Sequence, residues 1–148
     1  MGKLDFSIKL DSPIEKLIPM IMNFEMLPTI LPRQLKSVKI LEESIDGIKT
    51  EEILVFKTLV KNEIKQTSLH KKVSNNCIHT EILSGPAAGT NIKINLEEYE
   101  TNTDVCIEID LKLSFKAKFL SPIIMKVYKH MLTGVLLKID NLIIYEKK

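Results

Sequence analysis

Few of the histidine, tyrosine, arginine, cysteine and carboxylate residues in this sequence are spaced for shared chemistry. His70 is the most informative of them. Ile64, Gln66, Ser68 and His70 alternate, so within a strand they share one face. If that face turns inward, an imidazole, an amide and a hydroxyl form a polar patch in an apolar interior. If Leu69 and Val73 take the inner face instead, His70 lies outside, and a bulge would let the register switch. Tyr128 offers a phenol hydroxyl, which needs a partner wherever it is buried. Arg33 follows Pro32 and is the only arginine. It is either a solvated loop residue or a cation at a binding-site mouth that meets an acidic head group. His79 and His130 read as surface or rim residues. Glu97, Glu98, Glu100, Glu108 and Asp110 lie among lysines and read as outer-face charge. No nucleophile stands beside a base. The Gly85–Gly89 stretch lacks the lysine and helix start of a phosphate loop. Cys77 and Cys106 form no metal spacing with any histidine. The sequence therefore assigns no catalytic residue, no metal ligand and no cofactor.

The elements that position these residues are legible in the pattern. Leu4, Phe6, Ile8 and Leu10 alternate with Asp5, Ser7 and Lys9, a strand buried on one face. Ser12-Pro13-Ile14-Glu15 reads as a capping box opening a helix towards Phe24, with a kink or early stop expected at Pro19. Met26 to Pro32 reads as a short proline-bounded helical turn. Strands then follow at close spacing: one through Val38 and Ile40, an Asp46-Gly47 hairpin turn, and one from Ile48 to Lys57. The next runs from Glu63 to Val73, with a turn at Asn75-Asn76, and is followed by Cys77 to Leu83. After the Gly85–Gly89 turn comes a strand through Ile92, Ile94 and Leu96. The last strand places Val105, Ile107, Ile109, Leu111, Leu113 and Phe115 on one face. Alternation of this kind predicts an antiparallel sheet with one wet side, and no helix separates these strands as a parallel fold would require. Ser121-Pro122 opens a final helix of roughly 35 Å. Its apolar stripe runs through Ile124, Tyr128, Met131, Leu132, Val135, Leu136, Ile139, Leu142 and Ile143, with Lys126, Lys129, Lys138 and Asp140 opposite.

Composition narrows the function classes. The chain has 148 residues, 45% hydrophobic and 27% charged, with a net charge of +2. That balance, with one arginine, argues against a nucleic-acid partner. No apolar stretch reaches the roughly 20 residues of a membrane span, and the N-terminal segment has no signal-like apolar core. A reducing, cytoplasmic location with free thiols is expected. All 148 residues read as one α+β domain.

The order is strand, two helices, six strands, long helix. Together with Asp11 to Lys16, Asn23-Phe24 through Leu31-Pro32, Leu35 to Val38 with the Asp46-Gly47 turn, and Ser84-Gly85-Pro86, it resembles the helix-grip fold of the START-like (SRPBCC) superfamily. That superfamily includes polyketide cyclase and dehydrase-like proteins and coenzyme Q-binding proteins. The resemblance implies a curved antiparallel sheet of about seven strands around the C-terminal helix, with a pocket between them for a lipid-, isoprenoid- or polyketide-like molecule. On that basis, Val105, Ile107 and Ile109 from the sheet and Tyr128, Met131, Leu132, Val135 and Leu136 from the helix are expected to line the pocket. Met26, Ile30, Arg33 and His70 complete the candidate set, and the space is expected to reach about 300 Å³ or more. The entrance is placed near the short helix and the Gly85–Gly89 turn, with Met26, Leu27, Ile30 and Leu31 as an apolar rim, flanked by Arg33 and Lys36, for transient membrane contact. Binding or carriage of a small hydrophobic ligand is the leading expectation. A cyclase- or dehydratase-type enzyme and a protein- or ribosome-interaction module are the alternatives.

Overall fold

The computed structural model describes residues 2–57 and 61–146. The first strand, β1 (Gly2–Leu10), leads into α1 (Ile14–Ile21), a 3-10 turn at Phe24–Met26 and the single-turn helix α2 (Leu27–Ile30). Six strands follow: β2 (Leu35–Ser44), β3 (Gly47–Lys57), β4 (Lys61–Ser74), β5 (Cys77–Ile82), β6 (Asn91–Glu98) and β7 (Thr103–Leu111). A 3-10 segment, Phe115–Leu120, then feeds α3 (Ser121–Glu146). The strands form one antiparallel sheet in the order β1-β7-β6-β5-β4-β3-β2, so β1 joins the far end of an otherwise consecutive meander. The 26-residue α3, about 39 Å long at 1.5 Å per residue, lies along the inner face. The main core gathers Leu10, Leu17, Leu96, Ile107, Leu136 and Ile139 with their neighbours.

The end of α1 follows the proline argument, whereas its start departs from the expected capping box. Pro19 lies inside α1 with its ring on the exposed side, and the helix stops two residues later. Pro13, not Ser12, is the N-cap; its carbonyl accepts from the Lys16 and Leu17 amides at 3.1 and 3.0 Å. Ser12 is otherwise committed: its amide donates to Asp140 Oδ1 at 2.9 Å and its carbonyl accepts from Thr103 Oγ1 at 2.7 Å. Its buried hydroxyl has no partner among the described residues. Asp140, expected on the polar side of the last helix, is therefore buried between α3 and the β1–α1 loop. Leu142, expected inside, is 42% exposed.

Two strand ends also move. Ser44 pairs with Gly47, so the hairpin loop is Ile45-Asp46, and Gly47 enters β3 at φ +131. A Cβ there would stand 2.5 Å from the His70 carbonyl oxygen, so the close approach of β4 requires glycine. The last strand ends at Leu111, short of Phe115. Thr90 Oγ1 takes the Lys112 amide at 2.9 Å and donates to its carbonyl at 3.0 Å, and the Ser114 amide turns to the Pro86 carbonyl at 2.8 Å.

Cys77 and Cys106 are free, the first buried and the second exposed. Both pair with Asn95, from opposite sides. Two strand spacings of about 4.8 Å separate them, more than the roughly 7 Å a disulfide spans between α-carbons. Without reductant, the denatured protein should titrate two thiols. In the native state Cys106 should react quickly and Cys77 only on unfolding. A titre of zero would contradict this strand order.

Candidate functional site

The inner face of the sheet is chemically divided. On β5 and β6 it presents Ile78, Ile82, Ile92 and Ile94, broken only by Thr80; on β3 and β4 it presents Thr50, Glu52, Gln66, Ser68 and His70. Register makes the polar half continuous: Thr50 pairs with Ser68, Glu52 with Gln66, and His70 with Thr80. The middle of α3 covers this band with Tyr128, Met131, Leu132, Val135 and Leu136, while Ile21, Phe24 and Leu27 close it from the α1–α2 side. The cavity between them, partly open to solvent, has a volume of about 130 Å³.

His70 is fixed on every side. Nε2 lies 2.8 Å from Thr50 Oγ1, and Nδ1 lies 2.8 Å from Thr80 Oγ1. The Phe24 ring stacks on it with centroids 4.1 Å apart. Burial lowers its pKa to about 4, so at neutral pH one ring nitrogen donates to a threonine and the other accepts from one. Both nitrogens are thus occupied, and the imidazole is a rigid part of the wall.

Glu52 is the carboxyl of the band. Burial raises its pKa to about 7, against the opposing effect of the Ser68 and Thr50 hydroxyls. Ser68 Oγ donates to Oε2 at 3.2 Å. His70 Nε2 is 3.9 Å from Oε1, too far for a hydrogen bond. Burial favours the neutral form of both groups. Above the carboxyl, Tyr128 is 3% exposed, and its pKa is raised by burial and then by the charge of Glu52, with a hydrogen bond to Gln66 acting the other way. The described lining contains no lysine or arginine. A carboxyl half-protonated near neutrality can thus donate to a ligand carbonyl or accept from a hydroxyl or amine.

The sequence-derived candidates divide between this cavity and other places. His70, Tyr128, Met131, Leu132, Val135 and Leu136 line it together. Val105, Ile107 and Ile109 do not: all three are at most 1% exposed and belong to the packed core. There α1 and α3 lie against the sheet and against each other, leaving no space. Ile30 is 6% exposed and absent from the lining, as is the half-buried Met26. Arg33 is exposed on the turn after α2, and Lys36 Nζ is paired with Glu63 Oε2 at 2.8 Å. The expected entrance is split. Leu27 joins the half-exposed Val38, Met131 and Leu132 along one wall, whereas Pro86 and Ala87 of the glycine turn border a separate hollow of about 10 Å³. The cavity is also smaller than the roughly 300 Å³ expected for an organic ligand, because α3 seats directly on the polar band.

Glu52, Thr50 and Thr80 were not among the candidates. Along β3, Ile48, Thr50, Glu52 and Leu54 alternate with Lys49, Glu51, Ile53 and Val55, so both faces mix polar and apolar residues. The available signal was the match between neighbouring strands, since Thr50 and Glu52 face the run that carries Gln66, Ser68 and His70.

No family model matches this chain, and no curated protein matches it by sequence. Solved structures do match it in fold. A START superfamily protein from Mycobacterium smegmatis is 15% identical, with a TM-score of 0.67 over 90% of this chain and 96% of that one. The Zhui aromatase/cyclase from Streptomyces sp. R1128 is 11% identical, with a TM-score of 0.66 over 91% of each chain. A Thalictrum flavum norcoclaurine synthase point mutant, in complex with a transition-state analogue, is 11% identical, with a TM-score of 0.75 over 99% and 96%. The fold is the START-like helix-grip fold.

Proposed function

With a START-like helix-grip fold as the premise, we propose that this protein binds one small, largely apolar molecule between the sheet and α3, with the molecule's polar end against Glu52. The lining supports this most directly: apolar walls from β5, β6 and α3 surround a single carboxyl without a cationic partner among the described lining residues. Size sets the ligand class. An apolar cavity of about 150 Å³ accepts benzene, so about 130 Å³ suits a single ring or a short branched chain carrying a hydroxyl, carbonyl or amine. A longer isoprenoid or acyl chain requires the half-exposed wall at Leu27, Val38, Met131 and Leu132 to move outward. We place the protein in the cytoplasm with reduced thiols, and no helix among the described residues is long and apolar enough to cross a membrane.

An enzymatic role is the second reading, favoured by one observation: a buried carboxyl with a pKa of about 7 is suited to general acid–base catalysis at neutral pH. The aromatase/cyclase and synthase folds named above are compatible with such a use. Methyl NMR during titration with phenol, indole, cyclohexanol and geraniol tests the binding reading. Resonances of Ile78, Ile94 and Leu136 should shift with at least one of them, and Val135→Phe, which fills the cavity, should weaken that binding at least about tenfold. No shift with any probe, or equal binding by Val135→Phe in a folded protein, would remove the reading.

A further inference from the structure

Among the described residues, the most exposed aromatic side chains lie away from the cavity lining, on the 3-10 segment Phe115–Leu120. Phe115 is 87% exposed and Phe119 79%, while Ala117 and Leu120 pack against the core. With three residues per 3-10 turn, that anchoring turns Phe115 and Lys118 outward in one column and Lys116 and Phe119 in the next. Lys118 Nζ lies 5.9 Å from the centre of the Phe115 ring. Ile123, 38% exposed, extends the apolar surface into α3.

Charge is segregated around this surface. Residues 111–129 contain five lysines (112, 116, 118, 126 and 129) and no aspartate or glutamate. The whole chain carries +2, so this segment at +5 leaves −3 for the remainder. The neighbouring stretch, residues 83–96, also contains no acidic residue. It is tied to the segment through the bond from the Ser114 amide to the Pro86 carbonyl.

We propose that Phe115 and Phe119, with the lysines that flank them, dock this protein on the surface of an anionic lipid bilayer. Aromatic rings favour the headgroup region, and each lysine held near an anionic surface strengthens binding about fivefold. Nucleic acid would be read more readily by arginine, which this surface lacks. The rim around α2 offers nothing comparable, since Ile30 is buried and Lys36 is paired with Glu63. The docking does not depend on what the cavity holds.

Co-sedimentation with vesicles of phosphatidylcholine plus phosphatidylglycerol, and with phosphatidylcholine alone, tests it. The full chain should bind the anionic vesicles and release with added salt. Lys116→Ala with Lys118→Ala should weaken binding about 25-fold. Phe115→Ser with Phe119→Ser should weaken it at least about tenfold. Arg33→Ala, on the turn after α2, should leave it unchanged. Circular dichroism should show all variants folded, as expected for exposed positions. Equal binding to both vesicle types, or unchanged binding by the lysine variant, would overturn the proposal. So would the absence of vesicle binding combined with a dimer that Phe115→Ser and Phe119→Ser convert to monomer in sedimentation velocity, which would make this face an interface between copies of the chain.

Discussion

Glu52→Gln should make this protein more stable at pH 8 by on the order of 3 kcal/mol, and should leave it nearly unchanged at pH 4. The folded-state pKa of Glu52 is about 7 against an ordinary value of 4.5. Between those values the native state holds a proton that the unfolded chain has released, so stability is lost as pH rises through the folded pKa. His70 acts in the opposite sense. Its pKa falls from 6.5 to about 4, so between pH 4 and 6.5 the unfolded chain binds the extra proton and stability rises with pH. The two slopes nearly cancel, and the wild-type profile should be almost flat from about pH 4.5 to 6.5. Glu52→Gln removes one slope and should leave stability rising across that interval. His70→Gln removes the other and should leave it falling towards pH 7, from a lower starting point because the two threonine bonds and the Phe24 stack are lost. Urea unfolding at a series of pH values reads all three. A Glu52→Gln variant that is less stable than wild type at pH 8 would show that the carboxylate is stabilised in the native state, contrary to its burial.

Asp140→Ala should cost about 3 kcal/mol, a large share of the stability of a domain this size. Its carboxylate accepts from the Asp11 amide at 3.0 and 3.2 Å and from the Ser12 amide at 2.9 Å. These are charge-assisted bonds, and Ser12 is 2% exposed, so the released amide cannot turn to water without opening the loop. Asp140→Asn, which retains one acceptor oxygen, should cost less. Thr103→Val, which removes the bond to the Ser12 carbonyl, should cost about 1 kcal/mol. Chemical denaturation of the three variants gives the order directly. A loss below about 1 kcal/mol for Asp140→Ala would mean that the junction between β1, α1 and α3 is held by apolar packing alone.

Much of the fold was legible because strands and helices write their periods locally. Val105, Ile107, Ile109 and Leu111 alternate with polar residues because one side of β7 meets the core, and that alternation is visible without knowing what covers it. The stripe from Ile124 to Ile143 announced a long helix for the same reason, as did the close turns that left no room for crossover helices. Where a tertiary bond ended an element, the pattern misled. The alternation continues to Phe115, yet the strand stops at Leu111 because Thr90, twenty-two residues away, takes the hydrogen bonds of Lys112. That switch exposes Phe115, which the sequence pattern reads as a buried strand end.

The sequence by itself determined the order of elements, the antiparallel sheet, the long final helix and the face that Ile64, Gln66, Ser68 and His70 share, because each follows from spacing within one segment. Only the tertiary structure decided which face of β3 and β4 turns inward, since both faces carry polar and apolar residues and neither periodicity nor propensity ranks them. Register across three strands, with Thr50 opposite Ser68, Glu52 opposite Gln66 and Thr80 opposite His70, and the covering by Tyr128 convert scattered polar residues into one buried band. A glutamate in a strand is ordinarily solvated. Glu52 has a pKa near neutrality because of what lies above and beside it, which is a property of the packing and not of its own segment.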